Sequence, residues 1–383
     1  MGGDARHADV HGRPALGTDS TGAARRSCLT EIHHTRSPAQ GTVVIADQLR
    51  EFNDWHRSAG PAYGWPVATR LHPMYLPFTA DQLREHFAPV LSAGQKDRHL
   101  SYYLASINQR AKYEQLVGGG STPTPAQTRL GRQMEKDERF WVATALMMLY
   151  YAAEGSARAQ AFGGLLERAG LRPPSGFPRW AEALAGPLAL FFEVNLPPPR
   201  GYREWLRNHL DERVPIPYLR EMAAARRSRL EGQTHADAML LAPDTGVAIT
   251  FEAKVLSDVS THVTFDLARN QLARIIDVML DENPQLPDPL RSRKPAQTFL
   301  VLLTPALMQP SGTANALGQS RLYGWLLPEY KNRSSTLLRQ HLPHRDEGEL
   351  ADAADRLGWA SWEDCDAVVP GACPWLSPHQ GGA

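Results

Sequence analysis

Two strand-like segments joined by a tight turn, between residues 232 and 260, constrain the fold of this chain more than any other feature. The turn reads Pro243-Asp244-Thr245-Gly246. Proline presets one corner of a β-turn and glycine accepts the positive φ of another, so this is a strong turn signal. The flanking segments, 236–242 and 247–255, are therefore predicted to pair as an antiparallel β-hairpin.

The register of this hairpin decides which side chains face each other. If Ala242 lies opposite Val247, counting outward places Asp237 opposite Glu252, whereas a bulge at the turn would shift the pairing by one residue. The second strand alternates, so Glu252 and Lys254 share one face. The other face is apolar and consists of Val247, Ile249, Phe251, Ala253 and Val255. We expect the apolar face to pack on a helix.

The opposite face groups two carboxylates with an ammonium, and this grouping suits a hard cation. Asp237 and Glu252 would repel each other unless a cation lay between them, and Mg²⁺ prefers oxygen ligands. A bound Mg²⁺ can polarise a phosphodiester and supply an activated water. Lys254 could orient or deprotonate that water, or neutralise the charge that grows on the phosphate.

Asp237 followed by Glu252-Ala253-Lys254 on the next strand resembles the PD-(D/E)XK nuclease superfamily, which has the restriction-endonuclease-like fold. The resemblance implies that Asp237 and Glu252 bind Mg²⁺, for which Mn²⁺ can substitute. It also implies that Ala253 offers its backbone carbonyl to the metal and that Lys254 assists the attacking water. This chain departs from the family's name motif, since Ala236 stands where that motif has proline.

The segment after the hairpin, residues 265–280, is predicted to be an amphipathic helix. Its apolar face would consist of Leu267, Leu272, Ile275, Ile276 and Met279. Gln271 and Arg274 lie on the rim of that face, three residues apart. The resemblance implies a catalytic role for Gln271 and a nucleic-acid contact for Arg274. An arginine-rich approach to the hairpin adds further candidate phosphate contacts, Arg226, Arg227 and Arg229, although a solvated helix face explains them equally well.

The chain of 383 residues is long enough for two folded units with loose ends. We predict a disordered leader at 1–40, a helical domain at 41–180, a restriction-endonuclease-like α/β domain at 186–328 and a C-terminal extension at 329–383. The α/β domain would have a central mixed sheet flanked by helices. The helical domain carries no motif of known chemistry, so a scaffold or a target-recognition unit is its expected role.

Composition narrows the class of protein only slightly. Lysine plus arginine and aspartate plus glutamate each number 41, so any nucleic-acid contact must come from a local patch. Three cysteines are too few and too scattered for a disulfide framework or a zinc finger. No apolar run approaches the roughly 20 residues that span a bilayer. We expect a cytoplasmic protein without a membrane contact.

The leading hypothesis is a Mg²⁺-dependent hydrolase of phosphodiester bonds, a restriction or defence endonuclease that acts on DNA, with RNA the weaker candidate. A homodimer would let one site per chain cut both strands of a duplex. The alternatives are a non-catalytic nucleic-acid-binding or regulatory protein on the same fold, and an interaction protein whose hairpin is only structural. Glu252 and Lys254 would then form a solvated ion pair of little energetic weight. His235 and His262 are expected to be surface histidines.

Overall fold

The computed structural model describes residues 76, 78–87, 93–152, 154–225, 230–261, 265–309 and 321–376, of which residues 93–97 are described by their backbone alone. The leader predicted at 1–40 lies outside these residues, as do Arg226, Arg227, Arg229 and His262.

A mixed β-sheet lies at the centre of the part of the chain that is described. Its five strands follow the order β1-β2-β3-β4-β5 across the sheet. The first three strands form an antiparallel meander, whereas β3, β4 and β5 run parallel to one another. The strands are β1 Ala189–Leu196, β2 Thr234–Ala242, β3 Val247–Ala253, β4 Thr298–Thr304 and β5 Leu357–Ser361.

The predicted hairpin is present in the predicted register, because Ala242 pairs with Val247 and no bulge displaces the strands. Gly246 closes the turn with a φ of 82°, and its N–H donates to the Ala242 carbonyl over 2.8 Å. A Cβ at this position would also lie 2.7 Å from Cγ of Lys294. The turn therefore requires glycine both for its φ and for the space beside Lys294.

Helices cover both faces of the sheet. They are α1 Ala80–Phe87, α2 Ala93–Gly118, α3 Pro125–Gly131, α4 Glu138–Tyr151, α5 Gly155–Arg168, α6 Trp180–Ala183, α7 Arg200–Asn208, α8 Leu210–Arg213, α9 Pro217–Ala225, α10 Gln271–Leu280, α11 Leu322–Tyr330, α12 Thr336–His341, α13 Glu347–Ala354 and α14 Trp362–Val368. None of these described helices combines the length and the apolar character needed to cross a membrane.

Two apolar cores lie on opposite sides of the sheet. On one side, Ile249 and Phe251 of β3 belong to the same core as the nearly all-apolar helix α4. On the other side, Leu300 and Leu302 of β4 pack with Ile276 and its neighbours on α10. The predicted α/β class, with a mixed sheet between helices, is thus confirmed. The division into a helical domain and an α/β domain stays a prediction.

Two predicted helices are shorter in the structure. Within residues 126–154, which the apolar sequence predicts to be one long helix, one helix ends at Gly131 and another starts at Glu138, because the Asp137 carboxylate accepts a hydrogen bond from the Arg139 N–H and caps it. The helix expected over 265–280 begins only at Gln271, where Asn270 is the N-cap. Leu267 is consequently outside the helix and 51% exposed, so its predicted place on the apolar face was wrong.

Residues 358–376 of the predicted C-terminal extension form regular structure and bury several large side chains, although their sequence indicated a loose tail. Helix α13 ends at Ala354, and β5 starts at Leu357. Gly358 packs so closely on Leu171 that a Cβ would lie 2.8 Å from its side chain. Trp362 and Trp375 are buried against Trp141 of α4. These contacts join residues that are far apart in the chain, so the local pattern of the tail does not show them.

Candidate functional site

Asp237 and Glu252 lie on neighbouring strands where β3 ends. Ala238 pairs with Phe251 in the confirmed register, so Asp237 and Glu252 are the next residues facing each other across the two strands. Asp237 is partly buried, and its Oδ2 accepts a hydrogen bond of 2.7 Å from the N–H of Ala253. This bond ties the Asp237 side chain to the backbone of β3, directly beside the candidate metal ligand Glu252.

Glu252 is completely buried at 0% exposure. Its Oε1 accepts hydrogen bonds from Lys254 Nζ at 2.5 Å and from Gln271 Nε2 at 2.7 Å. Its Oε2 is buried and has no hydrogen-bond partner among the described residues. A buried carboxylate oxygen without a donor is unfavourable unless another group or an ion binds it.

Lys254 is 3% exposed and is held between two carboxylates. Its Nζ lies 2.5 Å from Glu252 and 3.4 Å from Oε1 of Glu138, while its N–H donates to the Leu303 carbonyl of β4. Burial opposes the ammonium form, but the charges of Glu252, Asp237 and Glu138 outweigh burial and raise the pKa of Lys254. Glu252 and Lys254 are therefore a buried ion pair, and a solvated strand face was the wrong alternative.

The pKa values of both carboxylates are raised by burial. Burial raises the pKa of Asp237 well above its ordinary value, and the charge of Glu252 raises it further. Burial also raises the pKa of Glu252, although the nearby Lys254 ammonium opposes this effect. A cation placed between the two carboxylates would reverse both shifts, because it favours the ionised forms.

Two helices from opposite faces of the sheet begin at this cluster. Gln271 is the first residue of α10; besides contacting Glu252, its side-chain Oε1 accepts from the Ser260 N–H at 3.1 Å. Glu138 is the first residue of α4 and accepts from Ser257 Oγ at 2.6 Å. The sequence pointed to Gln271 but not to Glu138, since nothing local indicates that α4 starts beside β3.

A further carboxylate, Glu193, lies on β1 opposite Asp237, because its neighbours Phe192 and Val194 pair with Ala238 and Ala236. It is 2% exposed and has a φ of 56°, which is unusual for a residue with a side chain. Phe192 and Val194 on either side pack into different cores, so the strand changes face at this residue. Glu193 was not predicted as a site residue, although a single glutamate in the apolar stretch Leu-Ala-Leu-Phe-Phe-Glu-Val is a sign of a functional residue.

Two histidines contact Glu193. His235 Nε2 lies 2.9 Å from Glu193 Oε2, and His99 Nδ1 lies 3.5 Å from the same oxygen. The imidazole rings are stacked with an interplanar angle of 25°. His235 was predicted to be a surface histidine; its side chain is 41% exposed, and its ring is held by the buried carboxylate.

The remaining predicted site residue, Arg274, is bound to the protein itself. Its Nε lies 3.1 Å from Glu231, and its Nη2 donates to the carbonyls of Gly232 and Gln233. These contacts fix the segment that leads into β2. A phosphate contact by Arg274 stays a prediction, and the structure adds a positioning role that the sequence did not indicate.

Comparison with protein-family models, with curated proteins and with solved structures gives no match for this chain. The arrangement of the described side chains must therefore carry any functional conclusion.

Proposed function

We propose that this chain is a metal-dependent nuclease with a restriction-endonuclease-like core, and that it hydrolyses phosphodiester bonds in DNA. The observation that carries the proposal is the buried cluster at the end of β3. There, Asp237, Glu252 and Lys254 meet in the order and on the hairpin that the resemblance requires, and Glu252 keeps one oxygen without a protein donor among the described residues. The mixed sheet between helices is the architecture that such a core needs.

The donor set suits a hard divalent cation. Glu252 Oε2 and the Asp237 carboxylate would hold Mg²⁺ or Mn²⁺, with the Ala253 carbonyl as the third protein ligand that the resemblance implies. When bound, the metal polarises the phosphodiester and lowers the pKa of a coordinated water. Burial is the main cause of the raised pKa values of both carboxylates, and a cation bound between them would favour their ionised forms.

The neighbouring side chains orient the ligands and handle charge. Gln271 and Lys254 both donate to Glu252 Oε1, so they orient the carboxylate and leave Oε2 without a donor among the described residues. The charges of the neighbouring carboxylates raise the pKa of Lys254, and its protonated form can donate to a phosphate oxygen or to the attacking water. We therefore assign Lys254 to orientation and charge stabilisation.

Incubation of the full chain with supercoiled plasmid tests this assignment. Wild-type protein should convert the plasmid to nicked and linear forms with Mg²⁺ and should be inactive with excess chelator. Glu252→Ala and Lys254→Ala should each lose about 100-fold or more of the rate, the usual cost of removing one preorganised group. Matched controls on exposed helix positions, Glu221→Ala and Lys112→Ala, should cleave like wild type.

The outcomes separate the alternatives. Unchanged cleavage by both site variants would overturn the site. If the wild-type chain binds duplex DNA but cuts neither DNA nor RNA, it is a non-catalytic binding protein. Cleavage of linear but not of supercoiled DNA would show an exonuclease in place of an endonuclease. A restriction or defence role would require, in addition, cutting that depends on a target sequence or a target modification.

A further inference from the structure

The contacts of His99, Glu193 and His235 resemble a ligand set more than a chance ion pair. One nitrogen from each imidazole and one carboxylate oxygen lie within 4.8 Å of one another. Ligands of a tetrahedral Zn²⁺ are about 3.3 Å apart, given bond lengths of about 2.0–2.1 Å. The His99–Glu193 distance of 3.5 Å already matches this spacing, and the His235–Glu193 distance of 2.9 Å needs to open by only a few tenths of an ångström.

We propose that His99, Glu193 and His235 bind one divalent transition-metal ion of the Zn²⁺ type, at a site separate from the Asp237–Glu252 pair. Two imidazoles and one carboxylate are ligands that favour zinc and similar first-row ions over Mg²⁺. The three residues come from α2, β1 and β2, so the site exists only in the folded chain.

The two oxygens of Glu193 have different surroundings. Oε2 contacts the histidines, whereas Oε1 accepts from the Tyr103 hydroxyl at 3.5 Å and lies 3.9 Å from Arg139 Nε. The guanidinium of Arg139 is itself neutralised by Asp137, to which it donates at 2.9 and 2.8 Å. Tyr103 and Arg139 thus orient the carboxylate through Oε1 and leave Oε2 as a single ligand atom, as outer-shell partners do at metal sites.

The backbone and the histidines suit this role. The φ of 56° at Glu193 turns its side chain to a position that regular strand alternation would not give it. His235 is 41% exposed, so water or a substrate oxygen could reach a metal bound to its ring.

The site adjoins the proposed nuclease centre without sharing a ligand. His235 precedes Asp237 by two residues on β2, and Glu193 lies across from Asp237 on β1. A second metal there would place positive charge near the end of β3. The assignment of this site does not depend on the proposed function, because metal binding can be measured without any cleavage.

Titration of the chelator-treated full chain with Zn²⁺, followed by calorimetry, tests the proposal. With excess Mg²⁺ present to fill the Asp237–Glu252 pair, one equivalent should bind, and Co²⁺ in its place should give the intense visible absorption of tetrahedral coordination. His99→Ala and His235→Ala should each weaken Zn²⁺ binding by on the order of 100-fold or more, because loss of an outer partner alone costs about 10- to 100-fold. Circular dichroism should show both variants folded.

Two controls make the outcome decisive. His209→Ala removes a histidine that stacks on Trp205 and contacts none of the three ligands, and it should leave the affinity unchanged. Glu252→Gln removes the candidate magnesium ligand and should also leave it unchanged. Absence of Zn²⁺ binding by wild type would overturn the proposal, as would binding that survives in His99→Ala and His235→Ala but is lost in Glu252→Gln.

Discussion

At the scale of single residues, the candidate site is a place where the folded protein tolerates unfavourable electrostatics. Asp237 and Glu252 are neighbouring carboxylates with raised pKa values, and the Lys254 ammonium offsets their charge. Glu252 Oε2 lacks a donor among the residues that the structure describes. Structural ion pairs elsewhere in the chain, such as Arg269 with Asp277, instead satisfy their carboxylates. Perturbed buried carboxylates of this kind are typical of functional sites, although structural ion-pair networks produce them too.

Replacement of Asp237 by asparagine should therefore stabilise the metal-free protein while it abolishes cleavage. The Asp237→Asn change would remove one of two like charges, and the amide oxygen could still accept from the Ala253 N–H. We expect the free energy of unfolding in chelator at pH 7 to rise by about 1 kcal/mol. Urea denaturation of both proteins measures this difference.

The stability difference between Asp237→Asn and wild type should depend on pH. The pKa of Asp237 is raised in the folded protein, so its ionisation costs stability only above its ordinary value of 3.8. The advantage of Asp237→Asn should vanish below pH 3.8, grow as the pH rises, and level off above the folded-state pKa. A variant that is less stable than wild type at every pH would show that the carboxylate is not under electrostatic strain.

At the scale of elements, the hairpin was predictable because its signals are local. Alternation indicated β3, and the turn indicated the register that places Asp237 beside Glu252, with a one-residue bulge as the alternative that the structure excludes. The face change at Glu193 was not predictable, since it depends on a backbone conformation that the residue type disfavours. The start of α10 at Gln271 was also missed: the apolar period begins earlier, and the Asn270 cap sets the boundary.

Gly246→Ala tests how strongly the turn controls the hairpin. Alanine would need a φ near 82° and would place its Cβ 2.7 Å from the Lys294 side chain. We expect a loss of about 1–2 kcal/mol in the free energy of unfolding. Gly232→Ala is the matched control, because a Cβ there meets nothing within 4 Å, and it should be nearly neutral. Equal stabilities of the two variants would contradict this account of the turn.

At the scale of the whole molecule, the site is assembled from distant parts of the chain. Glu138 and Gln271 reach it from helices on opposite faces of the sheet. Neither contact could be predicted from the sequence, because both depend on how the helices pack on the sheet. The presence of strand β5 and the burial of Trp375 were not predicted for the same reason.

A buried ionic network holds α10 in place for this assembly. Arg269 is 1% exposed and binds Glu231, which precedes β2, and Asp277 on α10. Asp277 in turn accepts from His344 and Arg345 near the chain end. The network therefore connects the hairpin, the helix that carries Gln271 and the C-terminal region.

Removal of Arg269 should be costly, since it leaves two buried carboxylates without their main partner. Arg269→Met is expected to lower the free energy of unfolding by about 3–5 kcal/mol. Arg291→Ala breaks an exposed ion pair with Asp288 and should cost less than about 1 kcal/mol. Urea denaturation compares the two, and a similar small loss for both would show that the network does not anchor α10.

The central claim, that Glu252 holds the metal for phosphodiester cleavage, is tested most directly by one rate. It is the rate of plasmid nicking by Glu252→Gln relative to wild type, at saturating Mg²⁺ and with both proteins shown to be folded. Glutamine keeps the size and one acceptor oxygen but lacks the charge that binds the cation. We predict a rate at least about 100-fold lower than that of wild type. Equal rates would contradict the claim.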